Sequence, residues 1–344
     1  MIIRNKGITP YPKFLLRFLF LLQNGLWAAF FSQKEKHAFK KSLQSMPPPD
    51  NPIIIIGHWR TGSTLLHQLL NLDSELIAPT VFQVSLPKGF LVSRKYYQPI
   101  MNKVLGNKRP MDNVKLGFDE PQEDEYALLK TTRSSPLEDL IFPKNTNYFL
   151  SDYSHFNPPH HKTAEWAEAL CGFCKKITIR GEKTIILKNP FHSLRIPLLK
   201  KIFPHARFIH ITRNPIDVIP STQHMWNIVG KQNALKKGFV TPSIKEITLF
   251  LNKFLHKIQT DLYELPSDQY YEICFEDLEK NPIAWIKKIY GHFGIEYSSN
   301  TEKKMQQFLE GLKSYRKNEY HLCSKQRETI VNQMRDQMMH YNYI

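Results

Sequence analysis

The segment from Ile53 to Leu70, IIIIGHWRTGSTLLHQLL, restricts the fold of this chain more than any other stretch. Its four consecutive isoleucines are typical of a parallel strand that is buried on both faces. Gly57 and Gly62 then bracket a short turn, and an apolar-periodic helix follows from Ser63. A buried strand that passes through a glycine-bracketed turn into a helix predicts an α/β fold with an anion-binding loop.

The loop departs from the common nucleotide-binding loop at one position. The common pattern is G-x-x-x-x-G-K-[ST], and Gly57, Gly62 and Thr64 fit its spacing. Ser63 occupies the position of the lysine, and the nearest cation is Arg60. Backbone N–H groups at a helix N-terminus attract anions, and nearby hydroxyl groups add donors. The predicted anion site therefore comprises Arg60, Thr61, Gly62, Ser63 and Thr64.

Strands and helices alternate along the rest of the chain. The further predicted strands are TIILK (184–188), ARFIHIT (206–212) and QYYEICF (269–275). The predicted helices cover residues 63–71, 193–202, 215–229, 243–265 and 283–293. This alternation predicts a P-loop-like α/β fold, in which helices flank a central parallel sheet on both faces. Ligands of such folds bind at the carboxyl ends of the strands.

A proline-rich stretch, SMPPPDNP at residues 45–52, separates an apolar N-terminal segment from the first strand. We therefore predict an N-terminal apolar helix with its linker at 1–50 and a single α/β domain at 51–344. A segment rich in proline, tyrosine and charge, about 77–181, predicts a mainly helical insertion that builds the substrate side of the cleft. The C-terminal tail is predicted to be helical as well, because its apolar residues repeat at helical spacing.

Composition narrows the classes of partner. The formal net charge of +16 favours an anionic partner such as nucleic acid, a membrane surface or a small polyanion. The basic residues are scattered, and no zinc-finger or RNA-binding aromatic motif occurs, so we predict no specific nucleic-acid partner.

Of the four cysteines, Cys171 and Cys174 form one C-x-x-C within a predicted helix. No second pair completes a zinc site, so we interpret the cysteines as free thiols.

The apolar stretch FLLRFLFLLQNGLWAAFF, from Phe14 to Phe31, is interrupted by Arg17, Gln23 and Asn24. Its charge-free run is too short to span a bilayer comfortably. Lys13, Arg17 and Asn24 fall on one side of a helix, which suits a helix in a membrane interface or one packed over an apolar groove. We expect a cytoplasmic protein, and both alternatives, peripheral membrane contact and packing on the domain, stay open for this helix.

A second motif, FIHITRNPIDVIPSTQHMW, covers residues 208–226. Asn214 is a favourable N-cap, and Pro215 a favourable first helical residue. Arg213 is therefore predicted at the end of a strand and just before a helix, where it can reach a second anionic group. Ser221 lies two turns further along the same helix. Alone, this motif is also compatible with a well-capped helix that has no ligand.

Three motifs taken together resemble the sulfotransferases that use 3′-phosphoadenosine 5′-phosphosulfate. In chain order they are a cation followed by TGST, then LKNP, and then TRNPIDVIPS. DEPQEDEYALL (119–129) and LKNPFH (187–192) are similar to the broad, largely bacterial branch of that family. FEDLEKNPIAWIKKIYGHFG (275–294) is similar to a family segment as well, although Phe275 stands where the family has tyrosine. The resemblance covers roughly residues 50–295.

The resemblance implies 3′-phosphoadenosine 5′-phosphosulfate as the donor substrate. It implies that residues 60–64 bind the 5′-phosphosulfate and that Arg213 and Ser221 bind the 3′-phosphate. It also implies that Lys188 holds the transferring sulfonate. A kinase lysine acts beside magnesium, but Lys188 stands where a magnesium-binding acid is expected. Because arginine, backbone donors and a helix N-terminus can stabilise a leaving phosphate alone, we expect no metal.

The sequence offers more than one candidate for the general base. One branch of the family has a histidine two residues after the strand lysine, where this chain has Pro190, and His192 could substitute. Other branches use a glutamate beyond the first loop, where this chain has APTVFQV without a carboxylate. The acidic cluster offers Glu120, in an extended entry, and Glu123, in the predicted first turn of a helix. We favour His192 and Glu123 jointly, and the acidic cluster is equally compatible with a helix N-terminus.

The resulting hypothesis is sulfonate transfer to a hydroxyl or amine of a small or lipidic acceptor. Two alternatives stay open, one from another functional class and one a different enzyme. The first is a nucleotide- or membrane-binding protein of the same fold without turnover. The second is a P-loop nucleotide kinase, which Ser63 disfavours.

Overall fold

The computed structural model describes residues 12–344 except 105, 107, 113, 133–134 and 144–159. Its strands are β1 (Ile53–Ile56), β2 (Leu76–Ile77), β3 (Thr184–Lys188), β4 (Arg207–Thr212) and β5 (Tyr270–Cys274). Its first seven helices are α1 (Pro12–Ser45), α2 (Ser63–Leu70), α3 (Val81–Ser85), α4 (Phe90–Val104), α5 (Glu125–Thr131), α6 (Glu138–Ile141) and α7 (His160–Thr178). The remaining α-helices are α8 (Ile196–Ile202), α9 (Pro215–Asn233), α10 (Ile244–Tyr263), α11 (Phe275–Lys280), α12 (Pro282–Phe293), α13 (Ser299–Gly311), α14 (Ser324–Gln333) and α15 (Arg335–His340). Two 3₁₀ turns lie at Pro190–Leu194 and Ser267–Gln269.

The five strands form one parallel sheet in the order β2-β3-β1-β4-β5. β1 is central, and Ile55 lies opposite Lys188 of β3 and Ile209 of β4. From β1 the chain first builds one side of the sheet, through β2 and β3, and then the other, through β4 and β5. The carboxyl end of β1 therefore lies at the point where the strand order switches, which is where open α/β sheets bind their ligands.

All four isoleucines of β1 are buried, although successive side chains of a strand point to opposite faces. Ile53 and Ile55 pack in one apolar cluster with residues of α2, α12 and α13. Ile54 and Ile56 point to the opposite face and are buried as well. A strand buried on both faces needs cover on both sides. The predicted helix-flanked parallel sheet is thus confirmed.

Besides shifts at the ends of several elements, two regions differ in kind from the sequence predictions. β2 was not predicted, because a strand of two residues at a sheet edge carries no periodic signal. The helix predicted at 193–202 is instead a 3₁₀ turn at Pro190–Leu194 followed by α8. Asn189 accepts a hydrogen bond from the N–H of Phe191 and so begins the turn. Pro197 lacks an N–H and fits only the first turn of an α-helix, so α8 begins beside it.

The chain divides into two compact units. The first unit contains the described residues of 1–48, 79–180 and 224–242, and the second contains 49–78, 181–223 and 243–344. The sheet belongs to the second unit. The predicted insertion at about 77–181 supplies α3 to α7 of the first unit, and α1 contacts α4 and α7 there. The boundary near residue 50 that the sequence predicts for the domains stays a prediction.

α1 is longer than the predicted apolar stretch, and two polar side chains of that stretch bond to the rest of the first unit. Arg17 donates to the carbonyl of Ala234 at 2.9 Å, and Asn24 accepts from the hydroxyl of Tyr97 at 2.7 Å. Both bonds lie within the first unit, and Phe31 is buried there too. The polar side of α1 therefore attaches the helix to its own unit, because buried polar groups need partners.

Candidate active site

The backbone of the loop after β1 takes conformations that only special residues tolerate. The φ angles of Gly57, Arg60 and Gly62 are 143°, 70° and 87°. A Cβ atom at Gly62 would overlap the ring of Phe275, and one at Gly57 would overlap the carbonyl of Ile211. Both positions thus require glycine. Arg60 adopts a positive φ although it has a side chain, and strain of this kind is typical of functional sites.

Three hydrogen bonds hold the loop in this conformation. The hydroxyl of Thr61 donates to the carbonyl of His58 at 2.8 Å. The N–H of Gly57 donates to the hydroxyl of Ser193 at 2.8 Å, and the N–H of Leu65 bonds back to Gly62. The Thr61 hydroxyl, predicted as a donor to a ligand, therefore stabilises the loop itself. The first N–H groups of α2 lack partners within the helix and stay suited to an anion.

The two predicted anion motifs meet directly. Nε of Arg60 donates to the hydroxyl of Ser221 at 2.9 Å, although the two residues are 161 positions apart in the chain. Arg60 lies in the loop after β1, and Ser221 lies on α9, which follows the neighbouring strand β4. The structure thus brings the residue predicted for the 5′-phosphosulfate beside one predicted for the 3′-phosphate.

Arg213 follows β4 directly, as predicted, and two neighbours fix its position. Its Nη2 lies 3.2 Å from a carboxylate oxygen of Asp217, and its Cζ lies 4.8 Å from the ring centroid of Phe275. Phe275 is the same ring that covers Gly62. A single aromatic side chain therefore borders both anion motifs, and a cation over its face is attracted to the ring.

The start of α9 is capped by side chains. Asn214 accepts a hydrogen bond from the N–H of Ile216 at 3.0 Å, which confirms its predicted capping role. Glu276 accepts from the N–H of Asn214 at 3.0 Å. The hydroxyl of Tyr343 donates to the other carboxylate oxygen of Glu276 at 3.2 Å and lies 3.4 Å from the hydroxyl of Thr212. Residues from the far end of the chain thus support the second motif.

Lys188 ends β3 at the same edge of the sheet and is buried. Burial, and secondarily the positive charge of Lys188, lowers the pKa of His67 on α2 well below its ordinary value. His67 is therefore neutral near pH 7. Lys188, Arg60 and Arg213 are cationic residues that lie at or just after the carboxyl ends of β3, β1 and β4.

His58 is buried and is enclosed by aromatic rings. The centroid of its ring lies 5.1 Å from that of Trp59 and 5.2 Å from that of Phe254. Burial lowers the pKa of His58 to about 4, and a hydrogen bond with the carbonyl of Trp59 partly opposes this shift. At physiological pH His58 is therefore neutral, and it packs within this aromatic cluster.

The candidate bases lie in different units. His192 lies in the 3₁₀ turn after β3, in the second unit, and is 0% exposed. Glu120 and Glu123 belong to the first unit, where Glu120 forms an ion pair with Lys115 at 2.8 Å. α5 begins only at Glu125, so Glu123 precedes the helix instead of lying in its first turn. The extended backbone around Pro121, which pairs with Thr80, delays the start of the helix.

The four cysteines are free thiols, as predicted, and Cys174 is buried on α7. Within the part of the chain that the structure describes, no group of three or more His, Cys, Asp or Glu side chains is arranged to hold a metal ion.

Three residues of the site were missed by sequence reasoning. They are Ser193, which binds the backbone of the first loop, Glu276, which caps the second motif, and Tyr343, which supports Glu276. The sequence marks Phe275 only by its departure from the family tyrosine, and this departure is the hint in the sequence that the position belongs to the site. Nothing in the local sequence of Ser193 or Tyr343 points to a contact so distant along the chain.

Comparisons with known proteins identify the family of this chain. A profile of the sulfotransferase family matches residues 52–299. The omega-hydroxy-beta-dihydromenaquinone-9 sulfotransferases Stf3 of Mycobacterium bovis and Mycobacterium tuberculosis are each 29% identical over 351 residues, which cover 100% of this chain and 88% of each relative.

Two solved structures have the same fold. Sulfotransferase STF9 from Mycobacterium avium superimposes with a TM-score of 0.69 at 17% identity, covering 96% of this chain and 86% of that one. Sulfotransferase STF1 from Mycobacterium tuberculosis gives a TM-score of 0.60 at 18% identity, covering 91% and 84%. The alternatives of a nucleotide kinase and of a binding protein without turnover find no support in these comparisons. Because the family profile covers most of the chain, the chain belongs to the sulfotransferase family and is an enzyme that transfers a sulfonate group.

Proposed function

We propose that the donor is 3′-phosphoadenosine 5′-phosphosulfate and that both of its anionic ends bind in the second unit. Residues 60–64 hold the 5′-phosphosulfate, and Arg213 with Ser221 holds the 3′-phosphate. The observation that carries this proposal is the 2.9 Å hydrogen bond from Arg60 to Ser221, because one small donor must reach both motifs at once. The ring of Phe275, which borders both motifs, supports the same assignment.

The chain offers cations where negative charge develops in the reaction. The bond between sulfur and the 5′-phosphate oxygen breaks, and that oxygen gains charge as adenosine 3′,5′-bisphosphate leaves. Arg60 and the N-terminus of α2 stabilise this leaving phosphate, and Lys188 holds the sulfonate. These groups are fixed in place before the reaction, so they stabilise the charge without reorganising. We propose that transfer proceeds without a metal and predict that a chelator leaves activity unchanged.

The acceptor supplies the electron pair for the new bond between oxygen and sulfur. As this bond forms, the acceptor hydroxyl loses its proton to a general base. His192 and Glu123 are the candidates, and they differ in setting. His192 follows β3 in the second unit next to Ser193, which contacts the first loop, whereas Glu123 belongs to the first unit. Variants of the two residues distinguish between them, as described below.

We propose a lipid-like acceptor with a hydroxyl group. The support comes from the Stf3 relatives, whose names specify an omega-hydroxylated menaquinone derivative and which match the full length of this chain. The exposed apolar side chains of α1 are compatible with a protein that handles lipids. The cytoplasmic location expected from the sequence stays a prediction.

The donor assignment is tested by thermal stabilisation with matched nucleotides. A ligand that binds only the folded protein raises its melting temperature. Adenosine 3′,5′-bisphosphate should raise it more than adenosine 2′,5′-bisphosphate, which has the same charge and a displaced phosphate. ATP with magnesium should stabilise the protein less than either of these two bisphosphates. Better protection by ATP would contradict the proposed donor.

The acceptor assignment needs a separate assay. Labelled donor is offered with a long-chain prenyl alcohol, with the same prenyl chain lacking the hydroxyl, and with a water-soluble phenol. Under the proposal, label passes to the prenyl alcohol and not to the matched hydrocarbon. Transfer to the phenol alone would overturn the lipid assignment and leave the donor assignment intact.

A further inference from the structure

The outward side of α1 exposes an unusual amount of apolar surface. Leu16 and Leu26 are 69% and 67% exposed. They share one side of the helix with six further exposed side chains, and we call the whole set the apolar N-terminal face: Leu15, Leu16, Leu19, Phe20, Leu22, Leu26, Trp27 and Phe30. Leu21, which is 44% exposed, lies on another side of the helix. Gln23 is the polar residue within this stretch that is exposed on the same side. A contiguous exposed patch of this kind marks a contact with a partner or a membrane.

The N-terminal half of α1 departs from the pattern of an ordinary surface helix. A surface helix turns its apolar residues inward, whereas here Arg17 and Asn24 bond to their own unit. Glu35 is the single carboxylate between residues 12 and 45 and is 2% exposed. It accepts from Lys176 at 2.5 Å and from the N–H of Leu91 at 2.9 Å. The outward side of α1 is therefore left without negative charge.

Cations follow the apolar residues along the same side of the helix. Lys34 and Lys41 lie four and eleven positions after Phe30, which places them on its face. Lys34 lies 4.5 Å from the ring centroid of Phe30, and both lysines are exposed. Lys36 and Lys40 are exposed as well. The exterior of α1 is thus apolar over its first half and basic over its second.

A neighbouring helix extends the surface. Tyr96 and Ile100 of α4 are exposed, and Tyr96 stacks on Phe31 with ring centroids 5.6 Å apart. Phe31 stacks in turn on Trp27 at 5.6 Å, and Lys95 lies 4.8 Å from the ring of Tyr96. Tryptophan and tyrosine next to lysine are typical of the interface between lipid headgroups and acyl chains.

We propose that the apolar N-terminal face docks on an anionic lipid surface, with the apolar half of α1 in the acyl boundary and the lysines at the headgroups. The helix is longer than the charge-free run on which the sequence expectation was based, and Phe14–Ser45 is long and apolar enough to cross a bilayer by length and composition. A helix lying in the interface fits the contacts better, because Arg17, Asn24 and Glu35 attach α1 to its own unit along its length. The proposal does not depend on the reaction, since binding is measured without donor or acceptor.

The apolar half is tested with sedimentation on vesicles of equal parts phosphatidylglycerol and phosphatidylcholine. The full chain should sediment at low salt. Leu16→Gln, Leu19→Gln and Leu26→Gln combined should weaken binding by at least about tenfold, because three exposed apolar side chains no longer partition. The matched control combines Leu249→Gln, Tyr263→Gln and Met339→Gln, which alter exposed apolar residues of the second unit. It should bind like the unaltered chain, and the melting temperature verifies that each variant is folded.

The basic half of α1 is tested with separate variants. Their result does not depend on whether the leucine variant folds. Lys34→Gln with Lys41→Gln should weaken binding by roughly tenfold or more at low salt and much less at high salt. The control is Lys288→Gln with Lys313→Gln, two exposed lysines of the second unit. Pure phosphatidylcholine vesicles should bind more weakly than the anionic ones.

Three results would overturn the proposal. One is a full chain that stays in the supernatant with anionic vesicles at low salt. Another is undiminished sedimentation of both the leucine and the lysine variants. The third is that the full chain self-associates and that the leucine variant abolishes this self-association without changing vesicle binding. This result would assign the apolar N-terminal face to contact with a second copy of the chain.

Discussion

The two anion motifs, the loop at residues 57–64 and the segment at 213–221, follow neighbouring strands of one sheet but are fixed in different ways. The first holds its shape through the backbone, with positive φ angles at Gly57, Arg60 and Gly62. The second has no residue of positive φ, and side chains such as Asn214 and Glu276 cap its helix instead. The first motif should therefore fail when a single Cβ is added, while the second should weaken in steps.

Gly62→Ala should have the largest effect. The new Cβ overlaps the ring of Phe275, and the backbone of residue 62 has a φ of 87°. Overpacking therefore adds to backbone strain. We expect a loss of about 3 kcal/mol or more in the free energy of unfolding, with loss of donor binding. Gly294→Ala is the matched control, because Gly294 has a φ of 62° but open space around it. Its cost should stay near 1 kcal/mol in urea titrations. Equal costs for both variants would show that the contact with Phe275 is unimportant.

Removal of the general base should have the next largest effect. If the base is His192, tethered near the first loop, His192→Ala should lower turnover by ~10²–10⁴ and leave adenosine 3′,5′-bisphosphate bound. If it is Glu123, Glu123→Gln should do the same. His205→Ala and Glu264→Gln, at exposed positions, are the controls. Since His192 is buried, His192→Gln serves as a milder variant. Normal turnover in every variant would place the base elsewhere.

The arginines of the two motifs should separate binding from catalysis. Arg213→Ala should weaken the binding of adenosine 3′,5′-bisphosphate by ~2–5 kcal/mol, the usual cost of breaking a buried charge pair. Arg60→Ala should lower kcat more than binding, because the leaving phosphate gains charge in the transition state. The control is Arg207→Ala, at the opposite end of β4. Calorimetric titration with kinetics measures both effects, and unchanged binding in Arg213→Ala would remove the 3′-phosphate assignment.

The first motif should also make the protein sensitive to acid. Burial lowers the pKa of His58 from its usual 6.5 to about 4. Between these values the unfolded chain binds more protons than the folded one, so stability falls as pH drops from 6.5 towards 4. The loss attributable to His58 is on the order of 3 kcal/mol. Urea titrations across this range should show a shallower pH dependence for His58→Asn than for the unaltered chain. His256→Asn, at an exposed position, should not alter it.

The smallest effect is expected from Tyr343→Phe, which removes the hydroxyl that supports Glu276 behind the second motif. One hydrogen bond to a charged group contributes about 1.5–3 kcal/mol, and replacement by water near the surface reduces the net loss to about 1 kcal/mol. We expect a loss of stability of this size and a slight weakening of bisphosphate binding. Tyr263→Phe is the control, because Tyr263 is 86% exposed. A large loss of binding would mean that the second motif is fixed as rigidly as the first.

Several features followed from the sequence alone because they depend on local geometry. The bounds of β1 and β3 were predicted correctly, since continuous apolar runs indicate buried parallel strands. Gly57 and Gly62 marked the loop, and Asn214 with Pro215 marked the start of α9, because capping and turn preferences act over a few residues. The resemblance to the sulfotransferase family rested on these same short motifs.

Other features were decided only by the tertiary structure. The contact of Arg60 with Ser221 joins residues 161 positions apart, and the ring of Phe275 borders both motifs from a third segment. The sequence placed Arg17 and Asn24 on one side of a helix, but not which side would face the protein. Spacing along a helix determines which side chains share a face, whereas the surface that the rest of the chain presents determines which face is buried. For this reason the tertiary structure of the first unit, and not the sequence of α1 alone, determines that these apolar side chains are exposed.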